Sequence, residues 1–501
     1  MAAPVHVIGL DIGTTSTIAV LVELPDRVVA HASRPVTLSS PKAGWAEEDP
    51  HEWWENSCAV LREILARVPD AAASLAGICV TGMLPAVVLL DEAGEVLRPS
   101  IQQSDGRCGR EVGELAAEVD ESAFLARTGN GINQQLVAAK LRWLERHEAG
   151  VFSRIATVFG SYDYINWRLT GVTAVEHNWA LEAGFIDLAD HRIADDLVAL
   201  GHIPRSALPQ KAVTHETLGR VSAEAAAATG LPEGLPVFGG AADHIASAFA
   251  AGLVKPGEVL LKFGGAGDII VVSDGARPDP RLFLDYHLIP GLYAPNGCMA
   301  TSGSALNWMT RLLGPEAAAG ESPHAVLDAL AGGVPAGSEG VLALPYFLGE
   351  KTPIHDPLAA GTFTGLSLSH GKGHIWRALL EGIAYAFRHH LEVMRDIGHP
   401  ATRLLASDGG SKSAVWMQIM ADVAGAPVQT LADFYGSSVG AAWVAAIGSG
   451  ADVAWTDIER LVSYGTVYEP RPEAVAVYEK GYADFRLLYE TLKPFFHRGA
   501  G

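Results

Sequence analysis

Four short stretches put chemistry-bearing residues where the backbone must bend. The first is Asp11-Ile12-Gly13-Thr14-Thr15-Ser16. A carboxylate ends an apolar run there, and three hydroxyls with their backbone N–H groups line the bend. Successive N–H groups in such a turn form a nest for an anion. Asp11 offers the hard oxygens that Mg²⁺ takes, directly or through water. A plain hairpin with Asp as its turn residue has the same pattern. The second stretch is Gly264-Gly265-Ala266-Gly267. It has no bulky side chain, so a polyphosphate could approach its backbone; a purely steric need for glycine gives the same sequence. The third, Asp408-Gly409-Gly410-Ser411, lies between a strand over Arg403–Ala406 and a helix. Free N–H groups at such a junction suit a docking ligand, and an ordinary helix cap fits it equally. In the fourth, Asp243 precedes His244-Ile245-Ala246-Ser247. Its carboxylate is placed either to cap a helix or to take a proton from a hydroxyl.

The elements that must hold these residues are legible from apolar alternation. Around the first turn, VHVIGLDIG and TIAVLVEL read as two strands. A third follows over Arg27–Pro35. Glu52–Arg67 reads as a helix with Asp49 as N-cap and Pro50 at the first helical position. Leu75–Val80 and Ala86–Leu90 are further strands. Half a chain later, Glu258–Asp274 repeats strand, glycine turn, strand, which suggests a duplicated architecture. Two unrelated hairpins would look alike. Leu235–Gly252 reads as a strand, a Gly-Gly-Ala-Ala bend and a helix of small residues, as at a domain junction. The expected domains are therefore residues 1–252 and 253–501. Helical stretches follow over Ile375–Ile397, Ser413–Ala424, Gly436–Ile447 and Pro472–Leu492. Strands alternating with helices predict an α/β fold.

Composition narrows the chemistry. The chain has 501 residues, 49% hydrophobic and 19% charged, a globular make-up with room for more than one core. Its net charge is −21 and it has no basic run, so nucleic-acid binding is not expected. A protein this acidic that handles phosphates must rely on local N–H groups and a metal ion. The cysteines, Cys58, Cys79, Cys108 and Cys298, form no C-x-x-C pair, which argues against a metal cluster or disulfide framework. No apolar run is long enough to cross a membrane and no signal peptide is read, so a cytoplasmic protein is expected. There is no P-loop, no G-x-G-x-x-G opening a first helix and no H-E-x-x-H.

Taken in order, longer stretches around these turns resemble the FGGY family of carbohydrate kinases over about Val5 to Tyr489. GLDIGTTS resembles the family's first phosphate motif, and GGAADHIASAFAAG its Gly-Gly-x-x-Asp segment. Gly361–Glu381 fits the second signature, including His374, Ile375, Ala378 and Glu381. ASDGGSKSAVWMQIMADVAGAPV resembles the adenosine motif, and GWAEEDPHEWW is also typical. Ser104–Cys108 points to the xylulokinase-like branch of pentulose kinases. The resemblance implies two ribonuclease-H-like domains of the actin, hexokinase and heat-shock ATPase type flanking a deep cleft. It implies ATP with Mg²⁺, a small sugar or polyol as substrate, and a homodimer. Asp243 aligns with the catalytic base and Asp11 with the metal-linked aspartate, so both are candidate metal ligands. Gly13, Thr14, Thr15 and Ser16 form one expected phosphate contact, and Gly264 and Gly265 the other. Gly303, Gly409, Gly410 and Ser411 would line the nucleotide site.

Several positions depart from that pattern. The Met-His pair of the sugar site reads Met83-Leu84, the residue after the base is His244 rather than Asn or Gln, and a Trp is replaced by Gln103. The second turn loses a hydroxyl, because Gly265 stands where a Thr is usual. A sugar hydroxyl buried without its partner costs roughly 1–3 kcal/mol. Leu84 therefore predicts a substrate other than D-xylulose, or a changed pose. Met83, Leu84, Asp105, Gln135, Asp243 and His244 are the expected substrate contacts. The competing readings are a glycerol or short-polyol kinase, and a non-catalytic actin-like switch that responds to ATP or sugar.

Overall fold

The computed structural model describes residues 4–314, 316 and 322–498. The outermost residues of the two expected domains, 1–3 and 499–501, thus lie outside the described residues. The chain forms two compact units, each described here by itself. Unit 1 holds residues 1–254, 274–294 and 435–462, and unit 2 holds the rest. This differs from one cut at 252/253, because two later segments return to the first unit.

In unit 1, β1 (His6–Ile12) is buried along its whole length, its polar His6 and Asp11 included. It pairs antiparallel with β2 (Ser16–Glu23), which pairs antiparallel with β3 (Arg27–Pro35). Helix α1 (Pro50–Arg67) follows. Asp49 caps it by accepting the His51 N–H at 2.9 Å, with Pro50 at the first turn. The chain then returns as β4 (Leu75–Gly82), parallel to β1. Later come β5 (Thr217–Arg220) and β6 (Pro236–Phe238), giving the order β5-β6-β4-β1-β2-β3. The expected strand Ala86–Leu90 is shorter, Val88–Leu90, and pairs with Thr157–Phe159 instead of joining this sheet. Helix α2 (Asp243–Ala250) ends the first pass through the unit.

One returning segment supplies the helix Ser437–Gly448, which packs on β1 and β4. A Cβ on Gly9 of β1 would lie 1.8 Å from the Ser438 carbonyl oxygen. Only glycine lets strand and helix backbones meet that closely. This contact explains why residues so late in the chain belong to the first unit.

Unit 2 repeats the plan. β7 (Glu258–Phe263) and β8 (Gly267–Val271) form an antiparallel hairpin, and β9 (Tyr293–Met299) pairs antiparallel with β8 through Asn296–Met299. Helix α3 (Gly303–Leu313), α4 (Pro323–Gly332) and the long α5 (Lys372–Asp396) follow. β10 (Arg403–Ser407) lies parallel to β7, and after α6 (Ala414–Ala424) β11 (Val428–Leu431) lies parallel to β10. β12 (Tyr464–Tyr468) closes the edge antiparallel to β11, before α7 (Pro472–Phe496). Six strands in the order β12-β11-β10-β7-β8-β9 repeat the path β5-β6-β4-β1-β2-β3 of unit 1, with the same parallel and antiparallel senses. The repeated hairpin was thus the visible part of a repeated domain. The cysteines are all free, and no described helix is long and apolar enough to cross a membrane.

Candidate active site

The β1–β2 turn is tight: the Gly13 N–H donates to the Ser16 carbonyl at 3.1 Å. Asp11, at the end of buried β1, is 8% exposed. Its Oδ2 accepts from the Ser437 hydroxyl at 2.7 Å, so the returning helix fixes this carboxylate. The Thr14 hydroxyl lies 3.6 Å from the Met83 sulfur, which joins the turn to the Met83-Leu84 stretch after β4. Met83 and Leu84 are nearly buried, Leu84 being 6% exposed, and the Ser161 hydroxyl holds the Met83 carbonyl at 2.7 Å.

Asp243 is the first residue of α2, not its cap; Ala242 holds that position. Its side chain is 33% exposed, and its Oδ1 accepts the His244 N–H at 2.6 Å. The His244 ring bridges two carboxylates. Nδ1 lies 3.3 Å from Asp243 Oδ1 and Nε2 lies 3.0 Å from Asp285 Oδ2, with Glu182 Oε1 at 3.8 Å. Burial opposes a charge on the imidazole, but hydrogen bonds to Asp243 and Asp285 outweigh it and hold its pKa well above 6.5. Glu182 is pushed well above the usual carboxyl range, by burial first and by Asp285 second. His244 was expected to hydrogen-bond a sugar. Both of its ring nitrogens face carboxylate oxygens, those of Asp243 and Asp285.

Asp105 is also met by protein groups. Its side chain is wholly buried. Oδ2 accepts from the Ala46 N–H at 2.6 Å and from Arg107 Nη2 at 2.6 Å; Oδ1 accepts from Arg107 N at 3.0 Å and Nε at 2.8 Å. Arg107 lies in turn on the Trp45 ring, 3.7 Å from its centre. Burial would raise the Asp105 pKa, yet these hydrogen bonds hold it below the ordinary value. Asp105 therefore fastens the Gly44–Trp54 stretch and presents no surface to a sugar. Gln135 is half-buried and donates to the Gln103 side-chain oxygen at 3.1 Å, so the structure brings together two positions that the sequence singled out separately.

In unit 2 the β7–β8 turn is held from one side. Its two carbonyls accept from the start of α3: Gly303 N–H to Gly264 at 2.8 Å, Ser302 N–H to Gly265 at 2.9 Å and Ser304 N–H to Gly265 at 3.0 Å. A Cβ on Gly303 would sit 2.7 Å from the Gly264 carbonyl oxygen, so glycine is required there. At Gly265 nothing lies within 4 Å of the same test position. The turn borders a cavity of about 610 Å³ whose wall includes Gly303, Gly409, Gly410, Trp376 and Leu380. That volume lies in the range of small-molecule and cofactor sites, and an apolar wall beside glycine backbones suits a nucleoside with its phosphates. Asp408 precedes the short 3-10 helix Gly409–Lys412 and does not cap α6, which Ser413 caps by accepting the Trp416 N–H at 3.1 Å. Asp408 instead adopts φ 69°, and its carbonyl takes the Ser411 hydroxyl at 2.8 Å.

The sequence reading missed Glu182, Asp285 and Lys140. Lys140 is fully buried and donates to the carbonyls of Gln102 at 2.9 Å and Pro85 at 3.3 Å, tying together the two stretches that carry Leu84 and Gln103. Burial depresses its pKa to about 8. No local pattern marks these residues, since each meets its partners through distant chain.

The chain matches the N-terminal domain of the FGGY family of carbohydrate kinases over residues 6–250 and its C-terminal domain over residues 272–449. A xylulose kinase of Escherichia coli (strain K12) is 30% identical over 491 residues, covering 97% of this chain and 99% of its own length. The crystal structure of a xylulose kinase from Rhodospirillum rubrum is 67% identical, covers 98% of this chain and 100% of its own, and superposes with a TM-score of 0.94. A glycerol kinase of Plasmodium falciparum, 19% identical with a TM-score of 0.88 and coverage of 98% of both chains, shares the fold. With both domains matched in order, the chain belongs to the FGGY family of carbohydrate kinases and acts as an ATP-dependent phosphotransferase on a hydroxyl of a small sugar.

Proposed function

We propose that this kinase phosphorylates a pentulose of the xylulose type, with Asp243 as general base. The observation that carries the substrate class is the 67% identity, over nearly the whole chain, to the Rhodospirillum rubrum xylulose kinase. A sugar hydroxyl is a poor nucleophile at neutral pH, and a carboxylate that takes its proton contributes ~10²–10⁴-fold. Asp243 suits that task, being a partly exposed carboxylate at a helix start with one oxygen already held. In this reading Gly13, Thr14, Thr15 and Ser16 contact phosphate from the first turn. Gly264 and Gly265 do so from the second, and Gly303, Gly409, Gly410 and Ser411 receive the nucleotide. Met83, Leu84 and Gln135 remain the sugar contacts.

Asp11 and Asp243 are the residues that would hold Mg²⁺. Both offer hard carboxylate oxygens, and Asp11 is orientated by Ser437. When bound, the ion shields the charge of the transferring phosphoryl group. The need for ATP supports residence in the cytoplasm.

A coupled ADP-release screen over pentuloses, hexuloses, tetritols, pentitols and glycerol tests this function. The highest kcat/KM is expected on a pentulose, and Asp243→Ala should lower kcat by about 100-fold or more. D-Xylulose against the other pentuloses reads out the consequence of Leu84. A preference for glycerol, or an active Asp243→Ala enzyme, would overturn the proposal.

A further inference from the structure

Asp243 stands at the first turn of α2 with a short side chain whose torsions a helix start does not fix. Behind it lies a chain of hydrogen-bonded side chains. Its Oδ1 meets both the backbone N–H and the ring Nδ1 of His244. The far ring nitrogen lies 3.0 Å from Oδ2 of Asp285, a fully buried residue on the short strand Phe283–Tyr286.

That strand is clamped on both sides of Asp285. Leu284 donates its N–H to Asn130 Oδ1 at 3.0 Å, and its carbonyl accepts from Asn130 Nδ2 at 3.0 Å. Tyr286 repeats the arrangement with Asn178, at 2.7 Å and 3.0 Å. Each asparagine side chain offers one donor and one acceptor, as a neighbouring strand would. Buried polar groups satisfied in this way rigidify their surroundings.

We propose that Asp285 and His244 are positioning residues for Asp243: the clamped strand fixes Asp285, Asp285 fixes the imidazole, and the imidazole sets the direction of the carboxylate that receives the proton. The proposal rests on Asp243 as the base. A base must be held within hydrogen-bond reach of its proton, and small misplacements of catalytic groups cost rate. Neither Asp285 nor His244 needs to touch the sugar in this arrangement. A salt-bridge cluster with a structural role alone would instead support folding and leave the rate per folded molecule unchanged.

The test is a cycle of Asp285→Asn and His244→Gln, singly and together, read as kcat, KM for each substrate and melting temperature. Asp285→Asn should lower kcat about tenfold while leaving KM for ATP within about twofold. In the His244→Gln background, where no ring remains to be orientated, the same change should alter kcat by less than about twofold. Asn178→Ser removes one clamp and keeps every ionisable group, so it guards against a misfolded Asp285 variant; a kcat loss of about threefold is expected. An unchanged kcat in Asp285→Asn, or an equal loss in both backgrounds, would overturn the proposal. Asp243→Asn separates the two levels: if it stays active the base itself is misassigned, whereas an inactive Asp243→Asn with an unaffected Asp285→Asn rejects the positioning pair alone.

Discussion

The β1–β2 turn of unit 1 and the β7–β8 turn of unit 2 occupy the same place in two sheets of the same strand order, yet they are furnished differently. The first carries side chains: Asp11 at the strand end and the hydroxyls of Thr14, Thr15 and Ser16. The second is almost bare backbone, with its carbonyls taken by the start of α3 and open space around Gly265. A repeated frame therefore does not impose repeated chemistry. It fixes where a bend falls, and the residues at the bend decide whether charge or hydrogen-bond direction is presented. In unit 1 even the frame is specialised, since the helix that crosses β1 also donates to Asp11 through Ser437.

The sharpest way to break this contrast is to remove the charge from the first turn. Asp11→Asn keeps size and hydrogen-bonding capacity but lacks the hard anionic oxygens. Its kcat should fall about 100-fold, with the Mg²⁺ requirement moved to higher concentration and sugar binding preserved. A normal magnesium titration in that variant would show that the first turn works through its backbone.

The second turn is tested by two substitutions with opposite expectations. Gly303→Ala forces a Cβ to 2.7 Å from the Gly264 carbonyl oxygen, where backbone must move. Nucleotide affinity should drop about tenfold, with sugar affinity unchanged. Gly265→Thr, by contrast, enters open space and restores a hydroxyl to the turn. Its melting temperature should stay within about 2 °C of the parent, with kcat equal or raised by a factor of about two or three. A strong loss of activity in Gly265→Thr would mean that the bare backbone is itself the contact.

How far the sequence carried these features follows from what each depends on. The hairpins, the α1 cap and the fourfold set of glycine and aspartate turns were legible because they obey local rules: period-two apolar runs, Asp-Pro at a helix start, glycine where backbones approach. The domain division was only partly legible. Nothing near Tyr435 announces that Ser437–Gly448 must return to β1; the requirement sits in Gly9, far away in sequence. The same applies to the surroundings of Asp243. Asp243 stands in a recognisable segment, but Glu182 and Asp285 are ordinary residues until the fold brings them to His244. His244 and Asp105 were expected as sugar contacts, and the protein groups that meet them, Asp285 for the one and Ala46 for the other, come from distant chain.

The smallest expected effects extend the comparison to one buried carboxyl from each unit. Asp105 in unit 1 is met by a guanidinium and two N–H groups, which hold its pKa below the ordinary value despite burial. Glu350 in unit 2 accepts the N–H groups of Ala300 and Lys351, at 2.7 Å and 2.8 Å, and burial dominates, raising it to about 8. Linkage gives the two opposite signs. A carboxyl lowered in the folded state stabilises above its unfolded pKa of about 3.9 and loses that contribution as pH falls through the folded value. A carboxyl raised in the folded state favours folding most fully below its unfolded value of 4.5 and loses this as pH rises towards 8. Glu350→Gln keeps the two acceptor contacts through its amide oxygen and cannot ionise. Its melting temperature relative to the parent should therefore climb between pH 4.5 and 8, by about 2 °C or more. Asp105→Asn should be less stable than the parent at neutral pH, with the deficit shrinking below about pH 3.9. Parallel melting profiles for parent and Glu350→Gln across that range would show that the Glu350 carboxylate is already ionised at neutral pH, with two N–H donors enough to offset its burial.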